Sequence, residues 1–293
     1  MKNNASLYTW ATKVSKVQSI NPRVIYLLLI AAILIPLFLN KIQYTNIPSK
    51  QSTEFYDTVN AIRNDDRHIV LVDGSWSQST RGENYWQLKA ILTHLMSKHI
   101  RFALLSFDPQ IDVPTMALVR ELSRRYPYQY GVDYIDWGYR PDKSIKQVLK
   151  GLVINIPGTL KSDWKGRPLT AFPIMKKIHD VTNISAIIEV TNTDLIDKWL
   201  GLVQGINRTP LLYATTAIGA PNYYPYLDSR QLSGMLTGVK GAGDYEQLIG
   251  EQGFATRATG ALSFVYALII GLVIIGNIGQ IAGRWQRLMD QNA

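Results

Sequence analysis

The chain has 293 residues, 31 Lys and Arg against 22 Asp and Glu, a formal charge of +9, and no cysteine. The absence of cysteine excludes disulfides, thiolate catalysis and Cys-ligated zinc or iron–sulfur sites. Residues 1–23 carry four basic groups and no acid, so the positive balance is mainly a topology and lipid-headgroup signal. No Lys/Arg stripe or stacked aromatic platform of the kind that marks a nucleic-acid interface accompanies it.

Two uncharged apolar segments bracket the chain, Val24 to Leu39 and Ala261 to Ala282. A bilayer core of ~30 Å takes about 20 helical residues. The second segment is long enough, and the first reaches that length only with Asn40 and the flank to Tyr44. The expected plan is a basic segment over 1–23, a membrane helix over 24–44, a domain over 45–258, a second membrane helix over 259–283 and a tail over 284–293. Basic flanks stay cytoplasmic while long loops cross, so both termini are expected in the cytoplasm and residues 45–258 outside it. Phe38 to Ile42 lacks a small-x-small cleavage pattern, so the first segment reads as an uncleaved signal anchor. Leu7, Trp10, Val14 and Val17 have the spacing of an amphipathic helix on the inner leaflet; a frayed tail is the alternative.

In the middle, short β-branched runs alternate with amphipathic stretches. Strands are predicted over 69–73, 101–107, 132–137, 184–190 and 210–216, with helices over 53–63, 85–98, 113–125, 144–152 and 194–206. Residues 151–173 read as a long excursion loop. Residues 232–249 read as partly helical, interrupted by Gly238, Gly241 and Gly243. Strand and helix repeated about five times implies a mostly parallel sheet covered on both faces, a three-layer α/β domain of Rossmann-like or flavodoxin-like type.

Asp73-Gly74-Ser75-Trp76-Ser77 follows the first strand. Asp-x-Ser-x-Ser there resembles the first half of the metal-ion-dependent adhesion site of von Willebrand factor A domains. A carboxylate and two hydroxyls offer Mg²⁺ hard oxygen ligands, and Asp194, with Thr159 a weaker match, would supply the later positions. Trp76 and Gln78 depart from that pattern, and helix capping by Asp73 and its serines is the competing account. A crevice at the sheet edge would draw on Asp108, Asp136 and Thr215. The glycines at 238, 241 and 243 do not follow a first strand and fail the dinucleotide context. The four histidines lack ligand spacing, and no Gly-x-Ser-x-Gly elbow is present.

Tyrosines and tryptophans cluster over 126–139 and 213–226, suited either to an interface or to ordinary packing. In the second apolar segment Ala267, Gly271, Gly279 and Gly283 give small residues at four-residue steps, and Asn277 and Gln280 could bond across a helix contact.

Gly131 to Pro141 (GVDYIDWGYRP) and Gln231 to Glu246 (QLSGMLTGVKGAGDYE) resemble a family of uncharacterised prokaryotic membrane proteins with an α/β domain between terminal helices. That resemblance implies architecture and carries no activity or catalytic residue. The leading expectation is a non-enzymatic, membrane-anchored subunit that binds lipid and other membrane-protein subunits or its own copies. The alternatives are a Mg²⁺-dependent adhesion or ligand-binding module, and a small-molecule sensor or enzyme using the crevice.

Overall fold

The computed structural model describes residues 21–38, 47–110 and 112–291. The chain divides into two compact units, one of residues 45–256 and one of residues 1–44 with 257–293.

The larger unit is built on six parallel strands: β1 (Ile69–Ser75), β2 (Phe102–Ser106), β3 (Tyr134–Tyr139), β4 (Ile184–Thr191), β5 (Leu211–Thr215) and β6 (Gly234–Thr237), in the order β3-β2-β1-β4-β5-β6. This is the Rossmann-like strand order, with the topological switch between β1 and β4. The central strands are mostly apolar and almost entirely buried, as a sheet covered on both faces requires.

Helices α2 (Lys50–Asn60), α3 (Arg81–Ser97), α4 (Asp112–Leu122) and α7 (Gly238–Leu248) supply Phe55, Leu88, Val119 and Tyr245 to the core on one face. The crossover from β3 to β4 contains α5 (Ile145–Ile154), and α6 (Ile196–Trp199) follows β4; these supply Leu149 and Trp199 to the core on the other face. The predicted excursion loop is ordered structure: a short helix at Ile156–Leu160, a bridge from Ser162 to Pro168, and 3-10 turns. The backbone N–H of Trp164 donates to the Asp136 carbonyl at 3.1 Å, on the outer side of edge strand β3.

Two readings of the sequence are corrected. Residues 232–249 contain the sixth strand, and their glycines are packing positions instead of interruptions. A Cβ on Gly234 would sit 2.3 Å from the Phe55 backbone nitrogen, so glycine is what lets α2 lie against β6. The predicted helix 194–206 is broken: α6 is continued by a π-helical turn, Leu200–Gln204.

The smaller unit contains α1 (Pro22–Phe38) and most of α8 (Phe254–Gln291). Phe254–Trp285 is the one described helix long and apolar enough to cross a membrane. The 17 residues of α1 extend only about 25 Å at 1.5 Å per residue, short of the ~30 Å core. The expected second span is therefore not supported at that length; its extension to Tyr44 lies outside the described residues, as does the amphipathic stretch over 5–20. Leu28, Ala31, Ala32, Ile35, Pro36, Phe264 and Leu268 line an apolar groove of about 340 Å³ between α1 and α8.

Candidate functional site

The carboxyl ends of β1 and β4 meet at the switch point, where doubly wound folds hold their ligands. Here that edge is tied together by the protein's own side chains. The Ser77 amide donates to Asn192 Oδ1 at 3.0 Å, and Thr191 Oγ1 donates to the Ser75 carbonyl at 2.7 Å. From the first turns of α3, Asn84 Nδ2 donates to the Thr191 carbonyl at 3.3 Å. Gln87 Nε2 donates to the carbonyls of Thr215 at 2.8 Å and Gly238 at 3.1 Å. Glu83 accepts from the Ala217 amide at 2.7 Å. One polar helix end thus closes the exits of β4, β5 and β6. The sequence of α3 reads as an apolar face beside polar residues, and gives no sign that Asn84 and Gln87 are themselves buried and reach the strand ends.

Beneath that edge lies a pair the sequence did not single out. Asp73 on β1 stands in register with Glu189 on β4, and both are completely buried. Ser75 Oγ donates to Asp73 Oδ1 at 2.5 Å and itself accepts from the Phe107 amide at 2.8 Å. Asp73 Oδ2, both Glu189 oxygens and Trp199 Nε1 have no hydrogen-bond partner of normal geometry. Burial raises the Asp73 carboxyl to about 6. Burial raises Glu189 well above the ordinary carboxyl range, and the nearby Asp73 charge adds to it. Two carboxyl groups this close and this dry titrate as a unit, and at neutral pH the pair retains a proton.

The proposed metal ligands fall in different settings. Asp73 is sealed in the core against Glu189, Ser75 is buried beside it, and Ser77 lies out at the edge, sharing a 2.6 Å contact with Ser79. Asp194 follows β4 near Tyr213 and Tyr223, whose ionisation is disfavoured first by burial and further by the Asp194 charge. Thr159 packs against Gly151 in the crossover. Among the described residues no three His, Cys, Asp or Glu side chains converge as a metal cluster.

The crevice residues also separate. Asp136 is not at a strand end as expected: β3 runs on through Gly138, whose φ of +77° only glycine adopts readily, to Tyr139. Its Oδ1 accepts from the Gly138 amide at 2.8 Å. The cavity beside it, lined by Val72, Leu104, Ser106 and Thr115, holds about 10 Å³, room for one water at most. Asp108 lies in the turn after β2 and caps Gln110, while Thr215 is buried at the end of β5. Asp73 and Asp136 point to opposite faces, with Leu71 and Trp137 on one and Val72 and Leu104 on the other.

In α8, Gly279 is buried, Gly271 and Gly283 are half-buried, and Ala267 and Gln280 are exposed. Asn277 Nδ2 donates to the Val273 carbonyl of its own helix at 2.9 Å. The aromatic clusters are chiefly core: Tyr128 and Tyr134 stack on Phe102, and Tyr213 packs on Tyr223.

Comparison of the chain with models of known protein families, with curated proteins and with solved structures finds no match in any of the three.

Proposed function

We propose that this protein is a membrane-anchored α/β domain that works as a structural or interaction subunit of a membrane assembly, and not as an enzyme. What carries the reading is the closed switch point. The place where a Rossmann-like sheet would admit a nucleotide or substrate is filled by Asn84, Gln87 and Thr191, hydrogen-bonded to the strand ends themselves, with Asn192 accepting from the Ser77 amide at the surface above. No glycine-rich turn follows β1 to cradle a phosphate.

In this reading α8 inserts in the bilayer and α1 assists as a short signal anchor. The basic first 23 residues, with Arg284 and Arg287, hold both ends in the cytoplasm, and the domain lies on the other side. Partners are lipid and either other membrane-protein subunits or further copies of this chain. The small residues of α8 suit a close helix contact.

The test is the mass of the full-length protein extracted from its native membrane in mild detergent. A defined particle larger than one chain and its micelle supports the subunit reading, and Gly279→Leu should break that particle up. A lone monomer that shows a melting shift with a small ligand overturns it.

A further inference from the structure

The charge of the domain is unevenly distributed in a way that only the fold makes meaningful. Residues 140–177, most of the crossover from β3 to β4, hold nine Lys and Arg and two Asp and Glu, while the rest of 45–257 holds 15 basic and 19 acidic residues. The apolar side chains of this crossover, among them Leu149, Leu152, Ile156, Leu160 and Leu169, enter the core on a single face of the sheet. Its charged groups are therefore left on the outside of one layer.

One of the two acids is spent internally: Asp163 is buried and accepts from Arg167 Nε at 2.9 Å, with Nη2 at 2.7 Å. Lys177 pairs with Asp66. Lys143, Lys146, Lys150, Lys161, Lys165 and Lys176 are exposed, and the ion pairs among the described residues include none of them. Lys146 and Lys150 stand one turn apart on α5. Among these lysines sit Ile154, 77 % exposed, and Trp164, 41 % exposed.

Trp164 is held at the tip of a braced turn. The Asp163 amide donates to the Arg167 carbonyl at 2.9 Å and the Leu169 amide to the Lys161 carbonyl at 3.0 Å. Arg140 Nη2 donates to the Ser162 carbonyl at 2.9 Å, and Gly138 lies directly against the Trp164 backbone.

We propose that this lysine-rich, tryptophan-tipped outer layer binds an anionic lipid surface. Lysine ammonium groups act as point charges on flexible stems, suited to a fluid layer of phosphates, where recognition of a folded acidic protein favours the planar fork of arginine. A tryptophan among them has the apolar body and polar edge that settle at headgroup depth. Each lysine near an anionic surface strengthens binding about fivefold. The inference rests on the reading of α8 as membrane-inserted, which would keep the layer close to a bilayer at high effective concentration.

Because the chain has no cysteine, Thr170→Cys, at an exposed position in this layer, takes a single fluorophore. The labelled full-length protein is placed in nanodiscs of phosphatidylcholine alone or with phosphatidylglycerol, and challenged with acrylamide or with a spin-labelled lipid. The expected result is several-fold weaker acrylamide quenching and stronger lipid quenching in the anionic discs only. High salt or the combined variant Lys146→Glu, Lys150→Glu, Lys165→Glu should abolish both effects.

Equal quenching in the two lipids overturns the proposal and leaves the layer to an acidic protein partner. Lipid quenching that survives charge reversal overturns it too. A chain that stays out of the discs overturns the anchor reading instead. The layer is then tested by co-sedimentation of the same chain with phosphatidylglycerol vesicles, where absence of binding overturns the proposal.

Discussion

Asp73 and Glu189 stand in register across the two central strands, both completely buried, and Asp73 Oδ2 and both Glu189 oxygens lack a hydrogen-bond partner of normal geometry. Both hold their protons to higher pH in the folded chain than in the unfolded one. The unfolded state therefore releases protons first, and this pair costs stability as pH rises. The loss begins near the ordinary carboxyl value, continues through about 6 where Asp73 titrates, and extends beyond it as Glu189 resists ionisation. Melting temperature followed upward from pH 6.5 should fall in the native chain and stay flatter in Glu189→Gln. A steeper fall in the variant would sink this account. Mg²⁺ should not move the melting temperature, since Asp73 has no open side.

His94 gives the opposite slope. It is buried on α3, with Nδ1 2.8 Å from the Tyr245 hydroxyl and its ring stacked on Tyr56. Burial lowers it from 6.5 to about 4, so it stays neutral in the folded state where the unfolded chain would protonate. Its stabilisation is present above pH 6.5 and is lost as pH falls through about 4. His94→Gln keeps an amide for the tyrosine and has no proton to gain. Its melting temperature should hold up better than the native chain's between those two values, which a thermal shift series would read directly.

Gln87 makes its hydrogen bonds where no water can replace them. Its removal in Gln87→Ala leaves the Thr215 and Gly238 carbonyls short of a donor and should cost about 1–3 kcal/mol. Chemical denaturation of the native chain and the variant, reading tryptophan emission, measures the difference. An unchanged midpoint would show that the closure of the strand ends is not held by this side chain.

Glu246 closes the start of α8. Its Oε2 accepts from both the amide and the hydroxyl of Thr256 at 2.8 Å. Glu246→Ala removes that cap and should cost about 1–2 kcal/mol. Hydrogen exchange at Ala255 and Thr256 should rise more than at β1; uniform change across both would mean that the loss is global instead of local.

How far the sequence could be read follows from what each feature depends on. β1 and β4 announce themselves through Ile-Val-Leu-Val and Ala-Ile-Ile, because strands buried on both faces cannot alternate with polar residues. β6 has four residues and begins at a glycine, too little for a period to register. Asp73 looked like an edge ligand because its Asp-x-Ser-x-Ser context is local. Its true partner, Glu189, lies over a hundred positions away and is met only through strand register. Gly138 reads as a stop, yet its positive φ carries β3 two residues further and moves Asp136 into the strand. The tyrosines over 126–134 could equally have served a surface or a core, and Phe102 decided between them. The lysines of 140–177 are spaced too widely to read as a stripe along the sequence, and that they occupy one layer depends on where the crossover lands.

The borders of the sheet have a consequence for the proposed membrane-anchored subunit. On one side, the Asp136 carbonyl of β3 is already taken by Trp164; on the other, β6 is only four residues long. Unpaired strand borders are templates on which like chains stick to one another. A domain tethered beside many copies of itself would meet that hazard constantly, and here the covered carbonyl of β3 and the shortness of β6 both reduce it. In such a subunit, recognition between neighbours would fall to side chains, which can be selective, instead of to a peptide backbone that is the same in every protein.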